Sequence, residues 1–187
     1  MKNKINVLFL IFGMLFVAGS VSAQMKSDNP MVGGAAMYKT KDIVDNAVNS
    51  KDHTTLVAAV KAAGLVDTLK SKGPFTVFAP TNSAFEMLPA GTVDTLLKPE
   101  NKTMLQNVLK YHVVAGKMDS KAIMKAIKKG NGKATLTTVE GSQLTAMMDG
   151  NALVLTDEKG GKSRVTIADV KQSNGVIHVI DTVLMTD

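Results

Sequence analysis

The sequence predicts an α+β domain built on a mainly antiparallel sheet or sandwich. Three observations carry that expectation. Apolar residues recur at helical spacing in most segments up to Lys129, short β-type runs separated by turn signals follow from Ala134, and two β-type runs near Phe75 and Tyr111 interrupt the helices.

The chain starts with a short basic segment to Lys4, an apolar run over 5–18, and Gly-Ser-Val-Ser-Ala over 19–23. Small residues thus stand at −3 and −1 of a cut after Ala23, the layout of a secretory signal peptide, and the apolar run is short for a membrane span. Cleavage leaves 164 residues, one domain with an adequate core, and lowers the formal net charge from +6 to +4 because Lys2 and Lys4 are lost. Localisation is therefore expected to be secreted, periplasmic or cell-envelope. The mild, dispersed positive charge gives no argument for nucleic acid. There is no Cys, which excludes disulfides, thiol chemistry and a lipid-modified N-terminal cysteine.

Residues 24–40 are rich in Gly, Met and Ala without a sustained period and read as a flexible lead. Helices are expected over 42–48, over 54–63 with Gly64 as its stop, and over 65–70. The run 75–79 reads as a strand with apolar groups on both faces, ended by Pro80, which has no N–H for a ladder. Asn82 or Ser83 is placed to cap the next helix, with capping-box spacing from Ser83 to Glu86 and Phe85 turned to the core. Ser83 lacks the flanking glycines of a nucleophile elbow, and the segment lacks the Lys-Ser/Thr pair of a phosphate loop.

Further helices are expected over 83–88, 93–97 and 99–110, and a strand over 111–115. Residues 120–129 form an amphipathic helix, with Ala122, Ile123, Ala126 and Ile127 opposite Lys121, Lys125, Lys128 and Lys129. Strands follow over 134–139, 144–148, 153–156, 164–167 and 176–184, divided by turns such as Asp149-Gly150.

The segment FTVFAPTNSAF (75–85), the pair Tyr111-His112 and the segment NGVIHVIDTVL (174–184) together resemble the fasciclin domain family, in the family's order and spacing. The resemblance covers 41–187, giving 1–23 as signal peptide, 24–40 as lead and 41–187 as the domain. It implies a wedge-shaped β-sandwich flanked by N-terminal and central helices. It also implies a non-enzymatic module of cell adhesion or extracellular matrix contact, most like small exported bacterial members. The family's partner-binding positions correspond to Asp169 and Val170 and to the surroundings of Tyr111 and His112. Ala115 stands where many members have Pro, which implies a looser strand exit.

Other chemistry is weakly signalled. No Ser lies in an activated-nucleophile motif and no carboxylates pair as acid and base, so no catalytic residues, cofactor or metal are assigned. His53 is expected to be solvated. His112 and His178 lie on strand-like runs, where a backbone partner is the ordinary fate of a buried imidazole. Met25, Met31 and Met37 offer soft thioethers to Cu(I), without a nearby His to complete a site. Lys121, Lys125 and Lys128, with Lys129 and Lys133 near, form the best surface for an extracellular protein, an anionic polysaccharide or a cell surface. The expected function is surface recognition by a monomer or weak homo-oligomer. The alternative is a periplasmic carrier or sensor that binds a small apolar ligand or metal between helices and sheet.

Overall fold

The computed structural model describes residues 29–186; the expected signal peptide, 1–23, and the first residues of the lead, Met25 among them, lie outside this range. The described part of the lead departs from expectation. Strands β1 (Met31–Val32) and β2 (Ala35–Ala36) pair as a hairpin about Gly33 and Gly34, whose φ values are +57° and +76°. Lys51 N–H donates to the Gly33 carbonyl at 3.1 Å, and a Cβ on Gly33 would lie 2.3 Å from Ser50 Oγ. Val32 and Met37 are buried in the core, Met37 at 2% exposure. These anchors lie more than ten residues along the chain, so local periodicity gave no sign of them.

Helices α1 (Ile43–Ala47), α2 (Thr54–Ala63), α3 (Val66–Lys70), α4 (Asn82–Glu86), α5 (Thr92–Leu96) and α6 (Lys102–Tyr111) form one layer. Gly64 ends α2 with φ +70°, the left-handed cap that glycine adopts without a Cβ penalty. Short 3₁₀ turns over Lys51–His53 and Pro99–Asn101 lead into α2 and α6. Strands β3 (Phe75–Pro80) and β4 (Val113–Ala115) lie among them, and α7 (Ser120–Lys129) precedes β5 (Lys133–Thr137), β6 (Gln143–Asp149), β7 (Ala152–Thr156), β8 (Lys162–Gln172) and β9 (Gly175–Ile180).

The seven main strands run in the order β4-β3-β9-β8-β7-β6-β5, with β3 and β9 parallel and every other neighbour pair antiparallel. The eleven-residue β8 pairs with β7 at one end and β9 at the other, and register shifts between Val165, Ile167 and Val170 bend it. The outermost strands then meet, through a bridge between Val114 and Thr138 and a Val139 N–H to Val113 carbonyl bond of 2.7 Å. The result is an α+β sandwich flanked by helices, as expected from the sequence.

Strand β3 separates two cores. Val77 and Ala79 face the helices together with Leu56, Val60, Leu105 and Ile177. Phe78 faces the sandwich interior with Tyr111, Ile123, Leu144, Leu155 and Ile180. The both-faces reading of 75–79 therefore holds. At Ala115 the exit of β4 is secured: Ala115 pairs with Phe75, and the next N–H, on Gly116, donates to the Pro74 carbonyl at 2.8 Å.

Candidate functional site

The joint after β3 explains the polar triplet Thr81-Asn82-Ser83. Thr81, one residue before the expected position, caps α4 by accepting from Ala84 N–H at 3.3 Å. Asn82 turns away and serves the neighbouring helix. Its Oδ1 accepts from Thr55 N–H at 3.0 Å and its Nδ2 donates to the Lys51 carbonyl at 2.8 Å. The local N-cap of α2, His53, makes no capping bond of its own, so a residue 27 positions away satisfies that amide. Phe85 is buried, as expected.

The lysine-bearing helix α7 is held at its start by two aspartates. Asp119 accepts from Ala122 N–H at 2.9 Å, the ordinary N-cap bond. Asp169, on the bulge of β8 with φ +62°, accepts from Ser120 N–H at 2.7 Å and from Ser120 Oγ–H at 2.5 Å. Burial works to raise the Asp169 pKa, but the two Ser120 hydrogen bonds, with His178 and Lys171 nearby, outweigh it and hold the carboxyl below its ordinary value. Both carboxylate oxygens are thus engaged inside the fold. Val170 is turned into the helix-side core at 1% exposure, so it presents no side chain at the outer surface.

Tyr111 and His112 are equally inaccessible. The expected strand start at Tyr111 is instead the end of α6, with His112 as its C-cap and β4 starting at Val113. Tyr111 is fully buried and donates from its hydroxyl to the Gln143 carbonyl at 2.8 Å; burial pushes its pKa up to about 12. His112 donates from Nδ1 to the Val108 carbonyl at 2.8 Å and accepts at Nε2 from Leu184 N–H at 3.0 Å. Those partners fix a neutral tautomer, and burial lowers its pKa to about 4. The pair pins α6 to β6 and to the C-terminal segment.

The other histidines are also internal. His178 stacks on Phe78 with centroids 5.6 Å apart, donates from Nε2 to the Met118 carbonyl at 2.9 Å, and accepts Asp169 N–H at Nδ1 at 3.4 Å. Burial lowers its pKa. His53, expected to be solvated, is 3% exposed, and the 3₁₀ turn that carries it packs against Gly33 of the lead hairpin. Ser50 Oγ meets its Nδ1 at 2.9 Å. Burial lowers its pKa, and the Ala79 backbone acts against that from outside hydrogen-bonding geometry, leaving Nε2 without a bonded partner. Among the described residues no three His, Cys, Asp or Glu side chains are grouped to hold a metal. Met31 is exposed while Met37 is buried, so these two do not act as joint ligands.

The three remaining candidates, Lys121, Lys125 and Lys128, are exposed on α7, beside exposed Lys129 and Lys133, while Ile123 and Ile127 bury the opposite side. Lys128 and Lys129 also complement the negative end of the helix dipole. Of the residues read from sequence as partner-binding, only these lysines stand on the surface with free heads.

A second feature is an apolar cavity of about 80 Å³ between the helices and β3/β9, the place that the alternative reading gave to a small apolar ligand. Ile43, Leu56, Val57, Val60, Leu109 and Ile177 are among its walls. Exposed Lys61 and Thr68 and half-buried Lys110 mark where the lining reaches solvent. No local pattern could announce it, since its walls come from elements that are distant in the chain.

No helix among the described residues is long and apolar enough to cross a membrane. Comparison with known proteins places the geometry in context. The sequence model of the fasciclin domain matches residues 51–186. A Synechocystis protein, sll1483, is 46% identical over 83% of this chain and 79% of its own. Immunogenic protein MPB70 of Mycobacterium bovis is 35% identical over 90% of this chain and 82% of its own. Among solved structures, a FAS1 domain pair from the insect cell adhesion molecule Fasciclin I superposes with a TM-score of 0.68 at 19% identity. That match covers 78% of this chain and 51% of the insect one, and it bears on the fold alone. With the family's segments forming β3 with its α4 joint, the end of α6, and β9, the chain belongs to the fasciclin domain family.

Proposed function

We propose that this protein is an exported, non-enzymatic interaction module that recognises an anionic polysaccharide or cell surface through the lysine face of α7. The observation that carries the reading is a row of exposed lysines on a helix whose first turn is capped by Asp119 and fixed to β8 by Asp169. A helix held in this way presents its charges in one fixed array, and such an array gathers counter-charge more effectively than the same charges on a mobile tail. Asp169 contributes by positioning α7 and makes no contact with the partner.

The test is retention on a sulfated polysaccharide at increasing salt. The wild type should be retained and elute as salt screens the contact, while Lys121→Glu/Lys125→Glu/Lys128→Glu should lose at least about tenfold in affinity. Equal retention of the triple variant would exclude α7 as the recognition face.

The cavity favours a second reading, a carrier for a small apolar ligand. Its walls are almost wholly hydrocarbon, and cavities of that kind stay dry and take up apolar molecules.

A further inference from the structure

The cavity walls carry an imbalance of charge. Two cationic side chains, Lys61 from α2 and Lys110 from α6, belong to the lining, and no Asp or Glu does. Helices α2 and α6 pack side by side, joined by a Gln106 Nε2–H bond to the Ala63 carbonyl at 2.7 Å, and each contributes one of the two lysines to the lining. Neither lysine belongs to an ion pair among the described residues; the pairs there use Lys70 and Arg164. A hydrocarbon interior with two unpaired ammonium groups in its lining matches a molecule with an apolar tail and a single anionic head.

Size narrows the class. An apolar cavity of about 150 Å³ accommodates benzene, six carbons; on that scale the cavity here takes roughly three carbons without rearrangement. A longer chain lies with its end inside and its remainder directed out past the lysines of the lining. Val57 on α2, half-buried, belongs to the same lining.

We propose that this cavity binds a medium-chain fatty acid, with the tail end enclosed by Leu56, Val60, Leu109 and Ile177 and the carboxylate held by Lys61 and Lys110. The proposal rests on the carrier reading and gives it a ligand class. Lysine is suited to such a head because its long stem lies along apolar surface while the ammonium remains at the solvent edge. The lysine face of α7 takes no part, so the two surfaces can act independently.

The experiment is calorimetric titration of the purified protein with octanoate and with 1-octanol, both below their aggregation limits, at low and moderate salt. Octanoate is expected to bind about tenfold more tightly than octanol, with that advantage shrinking as salt rises. Lys61→Glu/Lys110→Glu should remove the advantage and leave octanol binding unchanged, and Val57→Phe should weaken both. Octanol binding equal to or tighter than octanoate overturns the fatty-acid assignment while the carrier reading survives. Binding of neither overturns both. Octanoate affinity unaffected by the double charge reversal overturns the head-group assignment. The lysines are at the surface, so this decision does not depend on whether the Val57 variant folds.

Discussion

On the sandwich side of β3 and β9, Phe78, Tyr111, Ile123, Leu144, Leu155 and Ile180 are all fully buried around one interior. On the other side, the same two strands meet helices that enclose a cavity of about 80 Å³. Connectivity explains the difference. Strands paired in register bring side chains to fixed positions on a pleated surface, and α7 lies over them as a ten-residue lid. Four of the six helices opposite, α1, α3, α4 and α5, have only five residues. Helices that short have little ridge to interlock and take their positions from hydrogen bonds to remote side chains. Asn174 does this for α1 and α3, joining Ile43 N–H at 3.0 Å to the Leu69 and Ser71 carbonyls at 2.7 and 3.0 Å, and Asn82 adds such a tie to the ten-residue α2. One layer is thus shaped by packing, the other by polar ties.

Truncation sharpens the contrast most. Tyr111→Ala is expected to cost about 3–5 kcal/mol, because a ring is removed from an interior that cannot close up and the Gln143 carbonyl loses its donor. Val57→Ala at the cavity should cost about 1 kcal/mol. Denaturant unfolding measures both, and equal costs would break the comparison.

Acid should act next. The His112 pKa is lowered from 6.5 to about 4 in the folded protein, so the unfolded chain binds the proton more readily. Stability is therefore complete above pH 6.5, falls as pH drops through the window from 6.5 to 4, and levels below it. The loss from this residue is about 3 kcal/mol. His53 and His178 are shifted in the same direction and add to it. Melting temperature against pH checks the window, and His112→Gln should flatten it.

A smaller effect is expected at the ties. Asn82→Ala removes the remote cap of α2 and should cost about 1 kcal/mol, with faster amide exchange in the first turn of α2 and little change in β5–β7. The smallest belongs to the lysine face of α7. Lys121→Glu/Lys125→Glu/Lys128→Glu should change unfolding stability by under about 0.5 kcal/mol per site, which makes it a clean binding variant.

What could be read in advance follows the same division. The packed side was legible: alternation placed Val77 and Phe78 on opposite faces, and helical spacing separated Ile123 and Ile127 from the lysines. The reading of β8 ended at 167 because its bulge breaks strict alternation, placing Val170 inward three residues after Ile167. The tied side was largely silent. Nothing local tells that Asn82 serves α2, that His53 is buried, or that Lys61 and Lys110 line one cavity. The family segments fall at structural junctions, where Tyr111, His112 and Val170 are internal supports. Their burial depends on contacts such as Tyr111 with Gln143, 32 residues apart.

The meeting of the outermost strands at Val114 and Thr138 has a consequence for assembly. A sheet with open borders offers its unpaired amides to any copy nearby, and domains strung in tandem suffer most because their local concentration is high. Here the two borders are joined at one end, by that bridge and the Val139 N–H bond to the Val113 carbonyl. Such a unit can be repeated along one polypeptide without neighbouring copies fusing into a continuous sheet, and the insect neighbour carries the fold as a pair. Closure of the wedge makes the fold a modular building block.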